Sequence, residues 1–155
     1  MIIGDPDVSS QTPEIVHQSV VDLFNGIGTT SSQILGYYGI QYIFMKDPAD
    51  PALVRTIDGI GGFTRSSATK DGVIWKVNKA HARVSFQNKN GQFFTINSTD
   101  KSANGYVSSE GIVIVAEKFD PSWKLLLNGR EVALEKNEFG LPIFRINQPG
   151  EVLLF

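Results

Sequence analysis

The residues that could do chemistry in this chain are few and scattered. Asp5-Pro6-Asp7 has the Asp-x-Asp form in which two carboxylates and a diphosphate can share a divalent cation. It lies in a proline-bearing lead-in with no strand before it, so a solvated tail is the better reading. Gly26-Ile27-Gly28 and Gly59-Ile60-Gly61 begin like phosphate-cradling loops. Ser31 and Thr64 stand where the third glycine belongs, and neither stretch opens a helix directly after a strand, so both read as helix stops and turns. His17 and His81 are the only histidines and have no His-x-x-x-His or Glu-x-x-His spacing. No serine sits in a Gly-x-Ser-x-Gly context. The chain contains no cysteine, which excludes disulfides and thiolate metal sites. No catalytic residue, metal or cofactor is therefore assigned. Asn97-Ser98-Thr99 is an N-glycosylation sequon, meaningful only in a glycosylating source.

The aromatic side chains offer a different chemistry, stacking on sugar rings. Tyr37, Tyr38, Tyr42, Trp75, Tyr106 and Trp123 could stack, with Asp120, Asn128 or Arg130 supplying hydrogen bonds. Core packing competes for the same rings, because burying one removes about 150–250 Å² from water. Trp123 follows the Asp120-Pro121 turn and precedes Leu125-Leu126-Leu127, so it is assigned to the core as a structural anchor, together with Pro121 and Gly129. Tyr37, Tyr38 and Trp75, with Asp58, Arg65 and Asn78 from the same half of the chain, form the candidate carbohydrate-binding set.

The elements that must position these residues change character along the chain. Residues 1–12 read as an extended lead-in. Thr12-Pro13 signals a helix start, and Val16, Val20, Leu23 and Phe24 fall on one helical face that Asn25-Gly26 stops. Thr30 and Gln33 have capping-box spacing for a short second helix through about Gly36. Ile40 to Met45 reads as a strand. Asp50-Pro51 caps a third helix with Leu53, Val54 and Ile57 inward, ending at Gly59. Val73 to Val77 is the next strand. From His81 onward all predicted elements are short strands: Ala82–Phe86, Gln92–Ile96, Ile112–Val115, Trp123–Leu127, Val132–Leu134, Ile143–Ile146 and Val152–Phe155. Asn90-Gly91, Asn104-Gly105, Asn128-Gly129 and Pro149-Gly150 read as the turns between them. The expected fold class is α+β: an α/β portion over 13–80, then an antiparallel β-sandwich over 81–155, the two forming one compact unit. A soft boundary falls at Asn78 to Ala80, and the strands near Ile40 and Trp75 are expected to join or flank the sandwich sheets.

At 155 residues and a net charge of -2, the chain is long enough for a sizeable core and carries no basic footprint for nucleic acid or acidic lipid. No apolar run approaches the roughly 18 residues of a membrane span. The first residues lack a charged n-region and a long apolar run. A cytoplasmic protein or a piece cut from something larger is expected on that ground.

Several ordered segments resemble a known architecture. Leu35-Gly36-Tyr37-Tyr38-Gly39-Ile40-Gln41-Tyr42-Ile43 resembles the LL…GIRYV segment in the extracytoplasmic C-terminal regions of large bacterial membrane proteins. These are actinobacterial-type family 2 glycosyltransferases with membrane-bound C-terminal halves, and YfhO-like proteins. Leu53-Val54-Arg55-Thr56-Ile57-Asp58 and Ile74-Trp75-Lys76-Val77 are similar to the L…LD…LWRV that follows there. Ala116-Glu117-Lys118-Phe119-Asp120-Pro121-Ser122-Trp123-Lys124 with Leu127-Asn128-Gly129-Arg130 resembles AE…DPGWRA…LDGR. Pro149-Gly150-Glu151-Val152 resembles the closing PAG.V.L. Ser122 replaces the usual glycine and Asn128 the usual aspartate, both compatible with turns.

The resemblance implies a non-catalytic extracytoplasmic accessory domain of a membrane-anchored glycosyltransferase-like protein in cell-envelope polysaccharide assembly. Its implied partners are its own membrane domain and cell-wall glycan or lipid-linked sugar, with no nucleic acid. The transferase site in such proteins lies in another domain, so no catalytic residue carries over. The competing expectation is a free-standing soluble hydrolase of glycans with carboxylates such as Glu117 and Asp120 in a cleft.

Overall fold

The computed structural model describes residues 2–3 as backbone, and residues 14–46 and 50–155 in full. Asp5-Pro6-Asp7 and the Thr12-Pro13 helix start lie outside the described residues. The protein is α+β, with three helices and three sheets among the described residues. The chain divides into two compact units, Met1–Ala80 and His81–Phe155, each with its own hydrophobic core.

In the first unit, β1 (Ile2–Ile3), β2 (Tyr42–Lys46), β3 (Phe63–Thr69) and β4 (Gly72–Val77) form a sheet of order β1-β2-β4-β3. The strands near Ile40 and Trp75 thus belong to a separate sheet and do not join the sandwich. Strand alternation sends Ile43, Met45, Val73, Trp75 and Val77 to the face that packs against the helices. Helix α1 (Glu14–Phe24) contributes Val16, Val20 and Leu23 to that core, but Phe24, expected on the same face, stays 40% exposed. Helix α2 (Ser31–Tyr37) begins after Thr30 without a side-chain capping bond, so the Thr30/Gln33 box does not form. The adjacent Ser31 hydroxyl instead donates to the Ser19 carbonyl at 2.8 Å, tying α2 to α1 in the interior. Helix α3 (Pro51–Gly59) starts as its sequence dictates: the Asp50 carboxylate accepts the Ala52 N–H at 2.8 Å and Pro51 occupies the first turn. Ile57 of α3 is fully buried, while Leu53 and Val54 are half-buried.

In the second unit, ten short strands make two five-stranded antiparallel sheets. One runs β11 (Arg130–Val132), β10 (Leu125–Leu127), β14 (Gly150–Leu154), β8 (Ala103–Val107), β7 (Asn97–Ser98). The other runs β12 (Leu134–Lys136), β13 (Pro142–Ile146), β9 (Gly111–Val115), β5 (Val84–Asn88), β6 (Phe93–Thr95). The inward residues of both sheets, among them Val84, Phe86, Val113, Val115, Leu125, Leu127, Phe144, Val152 and Leu154, share one core. The chain changes sheets just past Ile96, where one predicted strand ends, and again at Ala133, so the predicted Val132–Leu134 strand divides between the layers. Strands β9 and β10 lie in opposite sheets, so the Pro121 connection crosses from one layer to the other instead of joining a paired hairpin. Asn128 (φ 49) and Gly129 (φ 77) turn β10 into β11, the double positive-φ geometry for which Asn-Gly is suited. Asn104-Gly105 is no turn: it lies in β8, opposite Leu153 and Val152.

Candidate functional site

Three candidate residues of the first unit, Trp75, Arg65 and Asp58, converge, with the Trp75 ring in the interior and the ion pair at its edge. Trp75 and Arg65 are cross-strand partners on β4 and β3, and Asp58 reaches them from α3. The Asp58 carboxylate accepts the Trp75 indole N–H at 2.8 Å and the Arg65 Nε–H at 3.2 Å, and closes an ion pair with Arg65 Nη2. The Arg65 hydrogen bond, aided by the indole and opposed by partial desolvation, holds the Asp58 carboxyl below the usual carboxylate range. Trp75 itself is fully buried. Its ring presents no face to a ligand, so its assignment to sugar stacking is corrected: it is the centre of the core, and Asp58 satisfies its one donor. Asn78 is not part of this brace: its side-chain oxygen accepts from the Thr64 hydroxyl at 3.0 Å on the exposed side. Tyr37 and Tyr38 end α2, both half-buried. Tyr38 packs against the same core as Trp75, and burial pushes its phenol above the ordinary tyrosine value.

Trp123 stands at a corner of the sandwich. It is half-buried against the core, with the Arg83 guanidinium 5.8 Å from its ring centroid. Arg83 also pairs with Glu117 and donates from Nη2 to the Asp100 carbonyl at 2.6 Å. Pro121 is exposed, and Gly129 occupies the β10–β11 turn. Glu117, Asp120 and Trp123 line one cleft of about 330 Å³. Hydrogen bonds from Ser122, its hydroxyl and its backbone N–H, hold Asp120 below its ordinary value.

The sandwich carries a third feature, on the outward face of β11-β10-β14-β8-β7. Alternation that buries Val152 and Leu154 turns Glu151 and Leu153 outward, and on β8 it turns Asn104 and Tyr106 outward. The register sets Tyr106 directly across from Glu151, and Asn104 across from Leu153, which in turn faces Leu126. Tyr106 is 68% exposed and Leu153 45%. Together they line a shallow depression of about 550 Å³. An open aromatic ring beside an amide, a carboxylate and two leucines can stack on the apolar face of a sugar while bonding its hydroxyls. Tyr106 entered the sequence reading only within a longer set of aromatics. The signal that marks it is alternation, since Ala103 and Val107 are buried and Tyr106 lies one residue out of phase with Val107.

Among the described residues no three histidine, aspartate or glutamate side chains gather where they could hold a metal ion, and no helix is long and apolar enough to cross a membrane. No protein-family model, curated protein or solved structure matches the chain.

Proposed function

We propose that this chain is a non-catalytic accessory module that binds carbohydrate through the Tyr106 face. In this reading it serves on the extracytoplasmic side of a membrane-anchored glycosyltransferase-like protein in cell-envelope polysaccharide assembly. The observation that carries the binding claim is the open Tyr106 ring set across from Glu151 in a depression walled by Asn104, Leu126 and Leu153. The setting and the partners, its own membrane domain and cell-wall glycan or lipid-linked sugar, rest on the ordered segments from Leu35 to Val152. A single shallow stacking site gains little over its ordering cost, so affinity for arabinan, galactan or mannan fragments is expected to be roughly millimolar, about -4 kcal/mol. Tyr106→Ala should abolish that binding and leave the melting point almost unchanged, as for most exposed positions. Tyr37→Ala and Tyr38→Ala should leave binding intact. Absence of binding across the panel rejects the proposal.

A second reading, a glycan hydrolase, draws on Glu117 and Asp120 lining one cleft with Trp123. Against it, Glu117 is engaged in an ion pair with Arg83, and Asp120 is held below its ordinary value, the wrong direction for a general acid. Release of reducing ends from any of these glycans would establish the hydrolase in place of the binding module.

A further inference from the structure

We infer that the Tyr106 face takes neutral or amine-bearing glycans and turns away acidic ones, an inference that rests on its reading as a sugar-binding surface. Of the side chains lining the depression, Glu151 alone is charged; the others are amide, phenol or aliphatic. Lys124 and Glu131 project from the same face by strand parity and oppose each other in sign, but neither lines the depression. A uronate or phosphate on a sugar stacked on Tyr106 would meet the Glu151 carboxylate from the neighbouring strand with no cation to offset it. A protonated amine would find an acceptor there.

The position of Glu151 is fixed from both sides. On one side it pairs with Tyr106 in the ladder. On the other, its backbone N–H donates to Asn128 Oδ1 at 3.0 Å, and its carbonyl accepts the Asn128 N–H at 2.8 Å. The Asn128 amide nitrogen also donates to the Pro149 carbonyl at 3.4 Å, and its side chain lies where a Cβ on residue 150 would sit, so the segment entering β14 is clamped to the β10–β11 turn. The carboxylate is thus carried on a braced strand, which favours a consistent charge preference.

The test is titration of the whole chain with three probes of matched length: a galactan fragment, an oligogalacturonate and a chitosan oligomer, each at low and high salt. At low salt the oligogalacturonate should bind about fivefold more weakly than galactan, the scale of one like-charge contact in water. Salt should narrow that gap, and chitosan should bind at least as well as galactan. Glu151→Gln should remove the gap, read as the ratio of the galactan and oligogalacturonate affinities measured on the same variant. Because Glu151 is exposed, its variant is expected to fold. Equal or tighter binding of the acidic probe, or a gap that survives Glu151→Gln, overturns the charge selection but keeps the sugar site. No binding of any probe overturns both.

Discussion

The two units solve the same problem, burying a sheet, with opposite uses of their one tryptophan. The α/β unit packs its described helices on one face of its sheet and sets Trp75 at the centre of that layer. An indole so placed needs a partner for its N–H, and Asp58 supplies it from α3, linking helix to sheet. The sandwich fills its interior from two sheets with Val, Leu and Ile around Phe86 and Phe144, and its tryptophan goes to a corner beneath Arg83. Two stacked sheets leave a gap of about 10 Å that interdigitated aliphatic side chains fill. Both units leave one sheet face with an open tyrosine. Across the α/β sheet the outward row carries Tyr42, Lys76 and Thr64; across the sandwich it carries Tyr106 and Glu151. The units thus differ in the charge beside the exposed ring as well as in the fate of the buried one.

The sharpest way to break this comparison is to truncate each tryptophan. Trp75→Ala removes a fully buried ring and strands the Asp58 carboxylate's acceptor, so it should cost about 3–5 kcal/mol. Hydrogen exchange should show the loss in β2, β3 and β4, with β5 and β9 still protected. Trp123→Ala removes a half-buried ring and one cation–π contact, and should cost about 2 kcal/mol. Denaturant unfolding gives both values. Equal losses would mean the corner tryptophan anchors the sandwich as firmly as Trp75 anchors its own core.

A matched pair of glycines comes next. Gly72 opens β4 and Gly111 opens β9, and each lies under a phenylalanine of the adjacent strand. A Cβ at either would come within 2.6 Å of a ring carbon, of Phe44 in the first case and Phe86 in the second, and would also strike a neighbouring strand's carbonyl oxygen. Gly111→Ala pushes on Phe86, which is locked in the sandwich core, and should cost about 1–3 kcal/mol. Phe44 is only half-buried on the outward face and can yield, but Gly72 has φ 149, which adds backbone strain to the clash. The two losses should therefore be similar, from different causes. A Phe44→Ala background should relieve only the ring contact at Gly72 and leave the Met45 carbonyl contact and the backbone strain, so a full rescue there would remove both from the account.

What could be read from the sequence follows from how local each signal is. The α3 start at Asp50-Pro51 and the Asn128-Gly129 turn were legible because neighbouring residues alone determine them. The α+β class was legible from the change of periodicity near His81. Strand β3 was not: Phe63-Thr64-Arg65-Ser66-Ser67-Ala68-Thr69 has one buried residue, and an irregularity between Arg65 and Ser67 breaks its alternation. The sheet assignment of β9 and β10 was not legible either, since nothing in the run from Ile112 to Leu127 states whether a connection returns to its own layer or crosses. Trp75 shows the limit at the site. Asp58 and Arg65 do meet it, but a polar pair beside an aromatic reads alike whether it frames a ligand or satisfies a buried indole. Burial decides between them, and burial is a property of the assembled sheet.

The smallest effect expected is also the one that isolates the Asp58 brace. Its carboxyl is held below the unfolded value, which lies near pH 4. A group of this kind adds stability that is fully present above the unfolded pKa and is lost as pH falls through the folded one. The α/β unit should therefore weaken as the solution is acidified below about pH 4, in part through Asp58. Asp58 and Arg65 are both well exposed as side chains, so solvent screening limits the contribution to well under about 1 kcal/mol. Asp58→Asn keeps an oxygen that can accept the Trp75 N–H but removes the charge facing Arg65. Relative to wild type it should lose a few tenths of a kcal/mol at neutral pH, and the difference should shrink as acidification protonates the native carboxyl. Parallel denaturant titrations at about pH 7 and pH 2.5, followed through the buried indole fluorescence, give the comparison. A deficit that persists unchanged at the lower pH would show that the brace acts through geometry at Trp75 and owes nothing to the ion pair.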